Sequence, residues 1–234
     1  PKNMFEGKTI VPYDKGGSSD IESGRLRNYF AETDFFIDWS TNNMKRMKTM
    51  TISQRKTKSW RQKAGMKKSY ETTLATVIRN PLYYFKDGIT FSLIGLYSPT
   101  FRINSNSIFD VGGSSLFIKD ELKRTISIEY VLGILCSKLN RYIMIAFVNN
   151  SINSQVEDIK KNIIPICEKS QKQEIEKLVK EIIKKQKKDP DYNYQNHEQI
   201  EIDKLVYEIF GLDQELIDEV EMWYARRYPK LVRN

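Results

Sequence analysis

Ile128-Glu-Tyr-Val-Leu-Gly-Ile-Leu-Cys-Ser-Lys-Leu-Asn-Arg-Tyr-Ile-Met-Ile-Ala-Phe-Val148 is the longest apolar stretch of the chain and the point at which its character changes. Glu129, Lys138 and Arg141 interrupt it, charges that a lipid-embedded span rarely tolerates, so the stretch reads as one buried helix rather than a membrane crossing. Strand signals precede it and helix signals follow it. That order defines an α+β chain.

Upstream, Lys8-Thr-Ile-Val-Pro-Tyr13 is strand-like, Asp14 to Ser19 is a loop, Gly24 to Glu32 predicts a short helix, and Phe35 to Trp39 is extended. Thr73 to Arg79 is rich in β-branched residues until Asn80-Pro81 breaks it, and Gly88 to Ile94 resumes an apolar/polar alternation. Short strands recur at Thr100–Ile103, Ile108–Val111 and Ser115–Ile118, with Gly112-Gly113-Ser114 as the turn between the last two. A mixed sheet accounts for this spacing. Downstream, Asn149 to Ser154 forces a loop, Val156 to Lys161 makes one or two helical turns, and Ile163-Ile-Pro-Ile166 reads as a short edge strand. Ile175, Leu178, Val179, Ile182 and Ile183 recur at i, i+3, i+4, i+7 and i+8, which predicts an amphipathic helix over 168–188. A further helix over 198–210 ends at Gly211, and Asp213 caps a last one that Pro229 stops.

The chain has 234 residues, of which 40% are hydrophobic and 12% aromatic, enough to exclude wholesale disorder. Cys136 and Cys167 are its only cysteines, so neither a disulfide framework nor a four-cysteine zinc site is possible, and a reduced, cytoplasmic setting fits. No charged-then-apolar leader opens the sequence, and Pro1 in place of Met points to a fragment or processed chain.

Catalytic side chains are sparse. The single histidine, His197, sits in a polar connector, which reads as a solvated position and leaves no Ser-His-Asp or Cys-His arrangement. Gly16-Gly17 and Gly112-Gly113 lack the spaced glycines leading into a helix that phosphate loops require, so they read as turns. Asp110 with Glu121-Leu-Lys123 has the form of a metal-dependent nuclease site, the main enzymatic alternative, although Asp158-Ile-Lys160 shows how readily an acid-x-Lys triplet arises in a charged chain. Asn80-Pro-Leu-Tyr83 is similar to the Asn-Pro-Pro-Tyr motif of amino-methyltransferases, but no cofactor loop precedes it, and it reads as a strand-breaking loop.

Charge is concentrated. The 38 Lys+Arg exceed the 30 Asp+Glu by eight, yet residues 41–80 alone carry 11 basic residues against Glu71, while 151–234 carries 15 basic and 17 acidic. Lys45, Arg46, Lys48, Arg55, Lys56, Lys58, Arg61, Lys63, Lys67 and Lys68 interleave with Gln54, Gln62 and several Ser and Thr. Cations for phosphates, with Arg and Gln for base edges, are the residue types that a DNA groove selects, and Trp60 and Tyr70 add stacking surfaces. Without a bound anion these cations repel one another. Double-stranded DNA is the partner this segment predicts, and a basic protein-assembly module is the other alternative.

Several landmarks then share an order with a known family: Tyr13-Asp-Lys-Gly-Gly17, Gly88-Ile-Thr-Phe-Ser92, Phe109-Asp-Val-Gly-Gly-Ser-Ser115, Leu132 to Leu139, Asn153 to Lys160 and Ile163-Ile-Pro-Ile166. The ending Ile202 to Leu212, followed by Glu219-Val-Glu221 and Trp223-Tyr224, continues it. Together they resemble the target-recognition region, the TaqI-like specificity domain, of adenine-specific DNA methyltransferases and type IIG restriction-modification enzymes, over nearly the whole chain. The resemblance implies a bacterial DNA-reading module spanning 1–166, with the basic insertion 41–80, followed by a helical C-terminal extension over 167–234. It further implies no catalytic residue, metal or cofactor in this chain, and a partner methyltransferase domain, N-terminal in the parent enzyme, that uses S-adenosylmethionine.

Overall fold

The computed structural model describes residues 10–15, 26–33, 35–55, 71–75, 77–94, 97, 99–104, 106–109, 113–151 and 153–232. Its α+β character agrees with the sequence reading. The strands are β1 (Ile10–Asp14), β2 (Phe36–Asp38), β3 (Gly88–Phe91), β4 (Phe101–Asn104), β5 (Ile108–Phe109) and β6 (Ser115–Leu116). They form two three-stranded sheets: β2-β1-β5, with β1 antiparallel to β2 and parallel to β5, and β4-β3-β6, antiparallel throughout. In the second sheet Ile89 lies opposite both Ile103 and Leu116. β3 is buried along its whole length, so its alternation exposes no polar face, and Thr90 Oγ1 is satisfied by Ser115 Oγ at 3.0 Å.

Two strand readings change here. β5 and β6, expected to follow one another across a turn at 112–114, belong to different sheets, and Gly112 lies outside the described residues. Ile163–Ile166 joins no ladder among the described residues; the Pro165 carbonyl accepts from Tyr130 Oη at 2.9 Å and Ile166 is exposed.

The helices are α1 (Thr41–Thr49), α2 (Ile52–Arg55), α3 (Ile128–Cys136), α4 (Lys138–Ile143), α5 (Val156–Ile159), α6 (Lys169–Gln186), α7 (Glu198–Phe210), α8 (Gln214–Arg227) and α9 (Pro229–Val232). The single helix expected over 128–148 is instead α3, α4 and a π-helical turn over Met144–Val148, bent by 58°. Ser137 causes the break. Its backbone is extended, its hydroxyl donates to the Ile134 carbonyl at 2.8 Å, and the same oxygen accepts the Asn140 N–H at 3.1 Å, so one side chain closes α3 and caps α4. Arg141, predicted to interrupt an apolar helix, is buried by spending its guanidinium on the Tyr97 and Pro99 carbonyls, both at 2.9 Å. Among the described residues no single helix is long and apolar enough to cross a membrane.

One hydrophobic core joins Ile89, Phe91 and Phe101 of the second sheet to Leu132 and Ile134 of α3, Ile175, Val179 and Ile182 of α6, and Ile202 and Val206 of α7. It runs continuously across the boundary expected at 166/167. Gly133 permits the approach of α3 to α6: a Cβ there would stand 2.5 Å from Ile175 Cγ2. Two smaller clusters complete the packing. Val11, Tyr84 and Ile108 lie under the first sheet, and Leu26, Tyr97, Tyr224, Tyr228 and Leu231 join the chain's last helices to earlier loops.

The described part of the helix expected over 24–32 is not helical. Asn28 Oδ1 accepts the Phe101 N–H at 3.1 Å, Tyr29 N–H reaches the Phe101 carbonyl and the Ile103 N–H reaches the Tyr29 carbonyl, both at 2.8 Å. This segment thus lines the edge of β4, with Tyr29 at φ 67°. Tyr29 Oη then donates to Gln199 Oε1 at 2.7 Å, tying the sheet edge to α7. The expected ends of α6 and α7 hold to within two residues, with Gly211 at φ 67° as the left-handed terminator. Asp213 Oδ1 accepts the Leu216 N–H at 2.9 Å as the predicted cap, and α8 ends at Arg227, before the expected stop at Pro229, which opens the further short α9.

Candidate nucleic-acid interface

The basic segment begins where β2 ends. Asp38 Oδ1 accepts the Ser40 N–H at 2.8 Å, Ser40 Oγ accepts the Asn43 N–H at 3.3 Å, and the Asn43 amide donates to the Asp38 carbonyl at 2.6 Å, which starts α1 immediately after the strand. α1 buries only Met47. Lys45, Arg46 and Lys48 are exposed, and Arg46 and Lys48 fall in the last turn, where a cation opposes the helix dipole favourably.

The chain then forms a closed neck. Ile52 N–H donates to the Thr73 carbonyl at 2.9 Å and Ala75 N–H to the Met50 carbonyl at 2.8 Å, around an antiparallel bridge between Thr51 and Leu74. The strand expected over Thr73–Arg79 is reduced to this bridge, because its partner is the short stretch entering α2 and not a sheet. On the entering side, Thr51 N–H donates to Gln54 Oε1 at 2.9 Å and Gln54 N–H to Thr51 Oγ1 at 3.3 Å, a reciprocal capping box. Arg55 follows, exposed.

Lys45, Arg46, Lys48 and Arg55 therefore stand on the approach to the neck, and none has a carboxylate within 4 Å among the described residues. Gln54, expected to read a base edge, has its carbonyl oxygen held by its own turn. Lys56, Lys58, Trp60, Arg61, Gln62, Lys63, Lys67, Lys68 and Tyr70 lie outside the described residues.

The other constellations fall elsewhere on the molecule. Glu121 and Lys123 sit on an exposed turn where the Lys123 ammonium pairs with Asp120 at 2.6 Å; Asp110 is outside the described residues. Asp158 closes the capping box of α5: it accepts from Asn149 Nδ2 at 2.6 Å and from the Gln155 N–H at 2.8 Å, and these bonds, the amide first, hold its carboxyl below the ordinary range. Asn80 is left-handed at φ 50° and Pro81–Tyr83 is one 3₁₀ turn, in keeping with a loop. The sequence did not flag its surroundings: Tyr83 packs on Phe117 with ring centroids 5.0 Å apart, beside an open groove of about 870 Å³ that also includes Leu82 and Lys86. His197 is exposed and stacks on Tyr192 at 6.0 Å.

The most perturbed carboxylate lies far along the sequence. Asp203, 2% exposed, accepts the Lys138 N–H at 2.9 Å and the Gln199 amide at 3.0 Å through Oδ1, while Oδ2 is buried without a hydrogen bond. The Lys138 ammonium stands 4.0 Å from Oδ2 and favours Glu221 at 2.7 Å, so burial dominates and raises Asp203 from 3.8 to about 7. The folded state then binds a proton that the unfolded chain has released. Stability from this group is present at low pH and falls as pH rises from about 4 to about 7, at up to about 1.4 kcal/mol per pH unit. Denaturation of wild type and Asp203→Asn across this range should show the variant gaining on wild type toward pH 7. Parallel profiles would refute the assignment.

No protein-family model and no curated protein sequence matches the chain.

Proposed function

We propose that this chain is the target-recognition module of an adenine-specific DNA methyltransferase or restriction-modification enzyme. It binds double-stranded DNA through the basic segment and presents it to a catalytic domain that uses S-adenosylmethionine. The observation that carries the reading is the row of unpaired exposed cations on α1 and α2 leading into a closed neck, continuous in sequence with six further cations up to Lys68. Cations brought together without carboxylates favour a polyanion, and the Ser, Thr, Gln and aromatic residues between them supply the groups that distinguish bases. Gln54, Arg61 and Gln62 take the base-reading role, Gln54 through its amide nitrogen because its oxygen serves its own turn. The resemblance of the ordered landmarks supplies the class of parent enzyme.

Each phosphate neutralised by a cation contributes about 0.9 to the slope of log affinity against log salt. Fluorescence anisotropy on a short duplex at several salt concentrations should show Lys45→Glu/Lys48→Glu/Arg55→Glu weakening binding to all sequences and lowering that slope by about 0.9 for each phosphate no longer neutralised. Equal slopes and affinities for wild type and variant would assign the patch to a protein partner instead.

A further inference from the structure

Counted as one block, 151–234 is close to neutral, but the fold separates its charges. Residues 169–188, covering α6, hold eight Lys against Glu174, Glu176 and Glu181, whereas 198–227, covering α7 and α8, hold nine acidic residues against Lys204, Arg226 and Arg227. On α6 the apolar stripe is buried, which turns Lys177, Lys180 and Lys184 outward at i, i+3 and i+7, and Lys188 is exposed in the turn just past the helix end. They line one shallow groove of about 530 Å³ together with Lys185 and Glu181.

Nearby acids compensate this row only in part. Glu174 takes Lys177 at 3.0 Å, Glu181 and Glu198 take Lys185 at 3.1 and 2.6 Å, and Glu129 stands 3.9 Å from Lys180. Lys184 and Lys188 have no carboxylate within 4 Å among the described residues. Like charges at i, i+4, as at 180 and 184, destabilise a helix, and only the lysines of the last turn recover something from the helix dipole. Lys177 and Lys180 lie too far from the C-terminus for that. At 1.5 Å per residue Lys177 to Lys184 spans about 10 Å, which matches about three phosphates of one DNA strand.

We infer that this lysine face of α6 is a second DNA-backbone contact, which holds the duplex without reading its sequence. The inference rests on the DNA-binding reading and adds to it a surface separate in sequence from residues 41–80. Lys→Gln at 177, 180, 184 and 188 removes the charge while keeping good helix formers, and circular dichroism checks that the fold is kept. In anisotropy titrations of the whole chain on a short duplex, two engaged phosphates correspond to a slope lower by about 1.8 and, at 0.1 M salt, an affinity loss on the order of 60-fold, equal for unrelated sequences. A quadruple variant that keeps the wild-type slope and affinity, while the 45/48/55 variant loses both, overturns this inference and leaves the function standing. Wild-type protein that fails to bind duplex overturns both. A loss seen with heparin fragments but not with duplex also overturns it, by assigning the face to another polyanion.

Discussion

Ile182→Asp should abolish the cooperative unfolding transition or lower its midpoint by about 15 °C, the response to a loss of about 4 to 5 kcal/mol in a chain of this size. Ile182 has no solvent exposure and stands in the core where α6 packs on α3. A carboxylate there has neither water nor a cation, and an unpaired buried charge costs more than any loss of packing. Ile182→Val, which deletes one methylene at the same place, should cost only about 1 kcal/mol. Chemical denaturation of both variants checks the ordering. An unchanged midpoint in Ile182→Asp would mean that α6 does not pack on α3 in solution, and the continuous core described above would be wrong.

The second large effect concerns the join between the sheets. Arg102 on β4 and Asp14 on β1 meet at 2.6 Å, with side-chain exposures of 5% and 12%. They form a charged link between the two sheets, which share no ladder among the described residues. Arg102→Met keeps much of the side-chain volume but takes the guanidinium away from the Asp14 carboxylate, and breaking one partner of such a buried pair costs about 3 kcal/mol or more. Arg102→Met/Asp14→Leu removes both charges, so it should recover most of that loss, because an apolar pair of similar volume is often as stable as the ion pair it replaces. Single and double variants with equal losses would show that Arg102 acts through packing alone.

The two charge surfaces differ in how they could be found. Residues 41–80 stand out because their cations are consecutive and only Glu71 interrupts them. The α6 row does not stand out in a count over 151–234, because acids from α7 and α8 balance it there, and the burial of Ile175, Val179 and Ile182 fixes which lysines face outward. The same limit applies to Gln54. Its spacing from Thr51 is that of a capping box, but its polar neighbours suit a DNA groove equally well, and the hydrogen bonds decide which role its carbonyl oxygen takes.

Local chemistry was sufficient wherever the interaction that makes an element is itself local. The stripe of α6, the left-handed Gly211 and the Asp213 cap depend on residues within one or two turns, and all three were legible from spacing alone. Tertiary structure decided everything that needs a distant partner. Ser137 looks like a minor polar residue in an apolar helix, yet it divides that helix once Arg141 turns to the Tyr97 and Pro99 carbonyls. Gly24 to Glu32 has the composition of a short helix, but the backbone groups along the edge of β4 draw Tyr29, at φ 67°, into a bridge. The strands after Phe101 were visible as strands, while their division between two sheets was not, because β5 and β6 are two residues each and their pairing is set by the β1 and β3 edges that receive them. A backbone donor or acceptor must be satisfied wherever it is buried, and which partner satisfies it is a property of the folded chain.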